Sequence, residues 1–467
     1  MLRREFIQNL ALSAASCAAG GVGFAAANAA RAAPAGGNSS APAGAPAGAA
    51  SGAGARAPSR FAETPYRFSR VAPGIDVLAA GGFAQLRGQR VALLTHPAGV
   101  NRRGQKSIDV LRHARGVNLV KLFGPEHGIY GDVKAAVAVQ NNTDPRTGLP
   151  VFSLYGKHRK PTPEMLDGVD TLVVDLQDVG ARTYTYVSCM KLVLEACFEA
   201  GVKVLVLDRP NPLGGLKVDG PGMDKKWMSY VGSFQVPYVH GLTIGELALA
   251  ATRTAGWLEL SPAARRAGRL EVVKMSGWRR WMRWRDTGLR WLATSPRIPS
   301  VEAAEGYPMT GLGCETDDFA HGVKTIGGAE SLHPFRLLQY KGRRASDLER
   351  VLRARNIAGL GFSPMRLKSG ENGVYVSILD WARWRPTELN FHMMQLACLW
   401  EPRRTNPFLT FVGNKKSLFL KHLGCEAFFD DLCKRGAEIN IEQWLQAWQR
   451  DALAFQQWSK NYWLYKS

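Results

Sequence analysis

Glu126 and His127 stand side by side between two chain-breaking points, Gly124-Pro125 and Gly128. The apolar residues before them, Val117 to Phe123, read as a buried strand that stops where the polar pair begins. A carboxyl group and an imidazole on such a turn can donate and accept protons. Ligands of open α/β sheets bind outside the carboxyl ends of the strands, which is where this pair would stand. The alternative for Glu126 is a helix cap, with His127 on the surface. The pattern recurs along the chain. The apolar run Arg90–Thr95 ends in His96, and "DTLVVD" ends in Asp175, Gln177 and Asp178, with Arg182, Tyr184 and Tyr186 a few residues on. The run Lys203–Leu207 leads into Asp208, Arg209 and Asn211. Polar groups at corresponding ends of four strands should converge on one rim. Asp208-Arg209 has a second reading, as an ion pair that holds a turn. Tyr155 and His240 are weaker candidates.

The elements that must position these groups alternate. Helices are expected over Gly74–Leu86, Ser107–His113 and Lys191–Ala200, the last closed by Gly201. Strands are expected over Arg90–Thr95, Asn118–Phe123, Asp170–Asp175 and Lys203–Leu207. Strands alternating with helices specify an α/β fold with a parallel sheet covered on both faces. No glycine-rich dinucleotide fingerprint follows the first strand and no phosphate loop occurs, so a nucleotide-using enzyme is a poor reading.

The 467 residues allow two or three domains, and 46% hydrophobic content supports a folded core. The net charge of +21 is spread along the chain, which suits an anionic envelope polymer better than a nucleic-acid site. Arg3-Arg4 ahead of a short Ala/Leu-rich run resembles a twin-arginine export signal over residues 1–33, too short to span a membrane. A lipid anchor at Cys17 is the alternative ending for that segment. Residues 34–60 are almost all Ala, Pro, Gly and Ser, which is a disordered linker by composition. Export and a tether point to the periplasm. Of the seven cysteines, Cys189 and Cys197 fall eight residues apart on one expected helix. At about 1.5 Å per residue they are roughly 12 Å apart, beyond disulfide reach. No metal-binding spacing occurs. Between Trp278 and Trp291, four tryptophans interleave with arginines, which suits core packing more than stacking on bases or sugars.

The stretches "GIDVL", "FGPEHGIYGD", "TGLPVFSLYGKHRKPTPEML", "DLQDVGARTYTY", "LDRPNPLGG" and "HGLTIGELA" resemble the NamZ/YbbC-type exo-β-N-acetylmuramidases, from about Gly74 to Ala250. "MSGWRRWMRWRDTGLRW" and the final "WLYKS" extend the likeness. The resemblance implies a Rossmann-like domain, expected over residues 61–260, and a smaller α+β domain over 261–467, with the active site in the cleft between them. It implies release of N-acetylmuramic acid from the non-reducing end of peptidoglycan fragments, with no cofactor. Glu126 occupies the position of the family's proposed catalytic glutamate. The chain departs from the family pattern at Arg297, at Ser300 and in "GLGCETDDFAHGVKTIGG", where Glu315 remains.

Glycoside hydrolysis needs a proton donor and a second carboxylate. Glu126 is the expected donor and Asp178 the expected second group, with Asp175 and Glu315 behind it. Arg182, ahead of Arg209, is expected to clamp the lactyl carboxylate of muramic acid. His96, His127, Gln177, Tyr184, Tyr186, Asn211 and His240 complete the expected binding set. The altered segment after Thr310 motivates a different class of function, a silent envelope protein that binds glycan.

Overall fold

The computed structural model describes residues 70–131, 142–314, 318–323, 333–367, 372–401 and 405–466. The expected export signal, the linker, Cys17 and Glu315 lie outside the described residues. Two sheets organise the chain. The larger has seven strands in the order β3-β4-β2-β1-β5-β6-β7. These are β1 Arg90–Thr95, β2 Asn118–Gly124, β3 Asn142–Thr143, β4 Pro150–Ser153, β5 Thr171–Asp175, β6 Lys203–Leu207 and β7 Leu270–Val273. All pair in parallel except β3, which runs antiparallel to β4 at the edge.

The alternation of side chains along these strands explains the layers. In β1, Ala92 and Leu94 join one hydrophobic cluster while Val91 and Leu93 join another. In β6, Val204 and Val206 divide from Leu205 and Leu207 in the same way. Successive residues of a strand point to opposite faces, so a strand apolar at every position must be covered on both. The helix Thr185–Glu199 covers one face and is buried along most of its length. It begins six residues before the expected Lys191. The "TYTY" entry is β-branched and aromatic and reads as extended, yet Tyr186 and Val187 are buried in the core, and tertiary packing overrides propensity there.

The sheet runs past residue 260, where the sequence placed a division: β7 pairs with β6 through Val204 to Leu270 and Leu207 to Val273. The smaller sheet follows, antiparallel, in the order β10-β11-β9-β8, from β8 Phe319–Ala320, β9 Leu337–Tyr340, β10 Leu360–Arg366 and β11 Asn372–Ile378. Helices then complete the chain, ending in Ile441–Ser459. Among the described residues no helix is long and apolar enough to cross a membrane.

The end of the chain returns to the first sheet. Tyr465 donates its hydroxyl proton to Asp208 at 2.5 Å and accepts from the Met275 N–H at 2.9 Å. Leu464 N–H donates to Glu246, which also pairs with the buried Arg280 at 2.6 Å. Arg280 lies 3.7 Å from the centre of the Trp463 ring. Trp278 and Trp284 are buried, so the tryptophan–arginine stretch is chiefly packing; Trp281 is its exposed member. Removing the Tyr465 hydroxyl would leave a buried carboxyl and a backbone N–H short of a partner. Tyr465→Phe should lower the unfolding free energy by about 1–3 kcal/mol, read from urea denaturation with an unchanged slope.

Candidate active site

Strand order fixes where the site lies. From β1 the chain moves outward to β2 on one side, and after β4 it crosses to β5 on the other. The strand order therefore reverses beside β1, and the crevice beyond its carboxyl end is the expected ligand position. Glu126 lies two residues past the end of β2. Its turn is closed by Gly128 N–H donating to the Pro125 carbonyl at 3.0 Å. His127 sits in the left-handed region at φ 73°, followed by Gly128 at φ 76°. That conformation costs a non-glycine residue about 1–2 kcal/mol and is held here by the surrounding structure.

Glu126 is half-buried and faces a wall of phenols. Thr185, the first residue of the Thr185–Glu199 helix, donates its hydroxyl proton to Glu126 Oε2 at 2.9 Å. Tyr155 also lies near the carboxylate, close enough for its charge to act on the phenol. Tyr186 donates its hydroxyl proton to the Thr294 carbonyl at 2.6 Å and packs edge-on against His96, ring centres 4.8 Å apart. Tyr184 lies 4.7 Å from Tyr186 and 6.0 Å from Tyr307. Burial raises the phenol pKa of Tyr155, Tyr184, Tyr186, Tyr230 and Tyr307, and the negative charge of Glu126 adds to each shift. Those five rings thus mark out the surroundings of one carboxyl group. Tyr307 comes from the helix Val301–Thr310, which follows the last strand of the larger sheet in the chain. Ser300, a departure from the family pattern, caps that helix by accepting from Ala303 N–H.

His96 is buried, and its Nε2 accepts from the Gln177 N–H at 2.9 Å. Burial and the nearby Arg209 hold its pKa well below the usual histidine value, so it is neutral. His127 is buried in the same loop as Glu126. These groups come together as the sequence suggested.

Others do not. Arg182 is buried, and its guanidinium donates to the carbonyls of Pro221, Val236 and Leu423 at 2.8 Å and of His422 at 3.3 Å. The last two belong to the carboxyl end of the helix Gly413–Leu423, where a cation is favoured. Arg182 therefore joins that helix to the first sheet, and the expectation that it clamps a carboxylate is corrected. Arg209 forms a bidentate pair with Asp175 at 2.6 and 2.8 Å and donates to the Val100 carbonyl. Ser107 donates to the same carboxylate. Asp175 and Arg209 thus engage each other at the edge of the sheet. Gln177 bridges the carbonyls of Asp178 and Pro210 at 2.8 and 2.9 Å. Asn211 holds Leu242 O and Leu213 N–H. Both brace loops. A cavity of about 250 Å³ opens beside Gln177 and Arg209, walled also by Arg102, Trp284 and Arg290, and Glu126 is not on its wall.

Asp178 is buried at 7% exposure, and its Oδ2 accepts from Gly180 N–H at 2.7 Å. Desolvation pushes its pKa up to about 7. A pKa in that range suits a group that gives or takes a proton near neutral pH, and in Asp178 that group is buried. His240 Nδ1 accepts from Leu242 N–H, so neutral His240 presents Nε2–H, 3.9 Å from Asp178 Oδ2. Burial lowers His240 to about 4. Tyr230, Tyr307, Thr185 and Arg159 were missing from the expected set. Tyr307 sat in the "YPMT" motif and Arg159 in "KHRK", both visible as motifs but without a signal of direction.

The description "Exo-beta-N-acetylmuramidase NamZ" fits residues 91–302 in its N-terminal part and 306–465 in its C-terminal part. The chain belongs to the NamZ exo-β-N-acetylmuramidase family. Over 293 residues it is 42% identical to the peptidoglycan β-N-acetylmuramidase NamZ of Bacillus subtilis strain 168, covering 63% of this chain and 67% of that protein. Two crystal structures of DUF1343 family proteins from Bacteroides fragilis NCTC 9343 are similar in fold. One is 37% identical with a TM-score of 0.76, over 86% of this chain and all of that one. The other is 26% identical with a TM-score of 0.63, over 85% and 99%.

Two outcomes follow from the geometry. Arg182→Ala strands four carbonyls and should cost about 3 kcal/mol or more of stability, measured by thermal unfolding, and should weaken all sugar substrates alike. Asp178 keeps in the fold a proton that the unfolded chain releases above about pH 4. Its contribution is fully present below that pH and is lost as pH rises to about 7. Asp208 has the same sign, pushed up to about 7 by burial, so the comparison must be between variants. Asp178→Asn should gain on the wild type by about 2–4 kcal/mol between pH 4 and pH 7, then hold that difference.

Proposed function

We propose that Glu126 is the proton donor through which this exo-β-N-acetylmuramidase releases N-acetylmuramic acid from the non-reducing end of peptidoglycan fragments. The observation that carries the reading is the position of Glu126. Among the rim carboxyls it is half-exposed, while Asp175, Asp178 and Asp208 are buried. The hydrogen bond from Thr185 occupies Oε2 as an acceptor, so a protonated Glu126 carries its proton on Oε1. The proton passes from Oε1 to the glycosidic oxygen as the C1–O bond breaks, and the leaving sugar departs as a neutral alcohol. Positive charge then develops on the ring, water adds to C1, and the proton it releases returns through solvent to restore the acid form of Glu126, which leaves free N-acetylmuramic acid. Tyr184 and Tyr186, buried behind the carboxyl, pack edge-on and hold the start of the helix in place. Asp178 serves the loop that presents Thr185 and the two tyrosines, rather than the bond being cut.

We also propose that the protein works in the periplasm, in turnover of wall fragments. The paired Arg3-Arg4, the apolar run behind it and the Ala/Pro/Gly/Ser linker support export, and the net charge of +21 suits an anionic polymer.

The test is Glu126→Gln, which keeps size and hydrogen bonding. Its turnover of an N-acetylmuramyl-β-1,4-N-acetylglucosamine fragment should fall about 10²–10⁴-fold with an unchanged melting temperature. Near-wild-type turnover would reject the assignment. Wild-type protein that binds the fragment but never cleaves it would favour the silent binder.

A further inference from the structure

We infer that Arg159 reads the lactyl carboxylate of the muramyl ring and so turns the sugar into register with Glu126. This deepens the glycosidase reading and rests on it. Muramic acid differs from glucosamine by one lactyl ether on O3, which is ionised at neutral pH. A site that prefers it needs a cation, and a guanidinium matches a carboxylate with two parallel N–H bonds. The two rim arginines suggested by spacing are engaged elsewhere, Arg182 by four carbonyls and Arg209 by Asp175.

Arg159 is differently placed. It is half-buried, and its guanidinium carbon lies 4.4 Å from the centre of the Tyr230 ring and 5.6 Å from that of Tyr155. Among the described residues it makes no ion pair and no hydrogen bond to a carboxylate. Its neighbour Lys160, by contrast, is paired with Glu199 at 2.8 Å. Stacking on a phenol fixes the plane of a guanidinium while its edge N–H groups stay available. A cation held in this way has lost little freedom still to be lost on binding.

The link to the reacting bond runs through one side chain. Tyr155 lies close enough to Glu126 to feel its charge and receives Arg159 over its ring, so one phenol stands beside both cation and acid. On the sugar, O3 and the anomeric carbon are separated by two ring carbons, C3 and C2, and the lactyl group extends outward from O3. A ring with its anomeric oxygen at Glu126 therefore directs the lactyl carboxylate toward the Tyr155–Tyr230 wall. The ring centres of Tyr155 and Tyr230 are 6.2 Å apart, and Arg159 joins them into one surface.

The test crosses an enzyme change with a substrate change. Arg159→Met keeps an unbranched side chain against Tyr230 without the charge. The substrates are 4-methylumbelliferyl N-acetyl-β-muramide and the same compound with its lactyl group as the neutral amide. For the acid, kcat/KM should fall about 10- to 100-fold in R159M, and for the amide less than ~3-fold. Arg159→Lys should recover part of the loss on the acid, since charge returns without the fork. An equal fall on both substrates, or no fall on the acid, would overturn the assignment and leave Arg159 as support for the tyrosine wall. Because each enzyme is compared with itself on two substrates, the ratio is independent of whether Glu126 is the proton donor. An active E126Q protein would remove that role and leave the Arg159 ratio standing.

Discussion

A charge cannot lie dry at the centre of a sheet edge without a partner, and the buried Asp175–Arg209 pair meets that constraint here. Asp175 closes β5 and Arg209 follows β6, and the two buried side chains meet at 2.6 Å. Ser107, from the helix after β1, and the Val100 carbonyl add to the same knot. Three loops beyond three neighbouring strands are thereby tied at one point. Removing either partner would leave an uncompensated buried charge, which typically costs about 3–5 kcal/mol. The loops around Glu126 can be irregular because this pair next to them is not.

The irregularity has a direction. His127 takes a left-handed conformation and the turn from Pro125 to Gly128 projects Glu126 toward the Thr185–Glu199 helix. The helix start supplies Thr185, and the extended residues before it supply Tyr184 and Thr183, whose hydroxyl hydrogen-bonds those of Tyr238 and Tyr307. Buried phenols stay neutral, so they shape the site without competing with Glu126 for charge. Arg182 secures the opposite side by holding the end of the helix Gly413–Leu423 against the loop that follows β5. Rigid parts thus surround the one acid left partly open.

The strands were legible because their information is local. Arg90–Thr95 and Lys203–Leu207 are strands with the bounds that apolar runs and flanking breaks imply, and the polar residues at their ends do gather on one rim. What each polar side chain touches was not legible. Arg182 and Arg209 look equivalent in sequence, each a cation a few residues past a strand. Only packing shows that Arg182 faces carbonyls from Pro221 to Leu423 and that Arg209 faces Asp175. Tyr230 and Tyr307 reach Glu126 from 104 and 181 positions later in the chain, and no periodicity reports such contacts. Desolvation escaped the sequence too: Asp178 and Glu126 are both carboxyls past a strand end, but one is buried and the other half-open.

The claim that Glu126 donates the proton is tested most directly by leaving-group dependence. Acid assistance matters for a sugar leaving group and hardly at all for a strongly acidic phenol, whose anion leaves unaided. The measurement is the ratio of kcat/KM in wild type and E126Q for two substrates: the N-acetylmuramyl-N-acetylglucosamine disaccharide and 2,4-dinitrophenyl N-acetyl-β-muramide. The account requires a loss of about 10²-fold or more on the disaccharide and near-wild-type cleavage of the dinitrophenyl glycoside. Equal losses on both would contradict it, and would place Glu126 in a role other than proton donor.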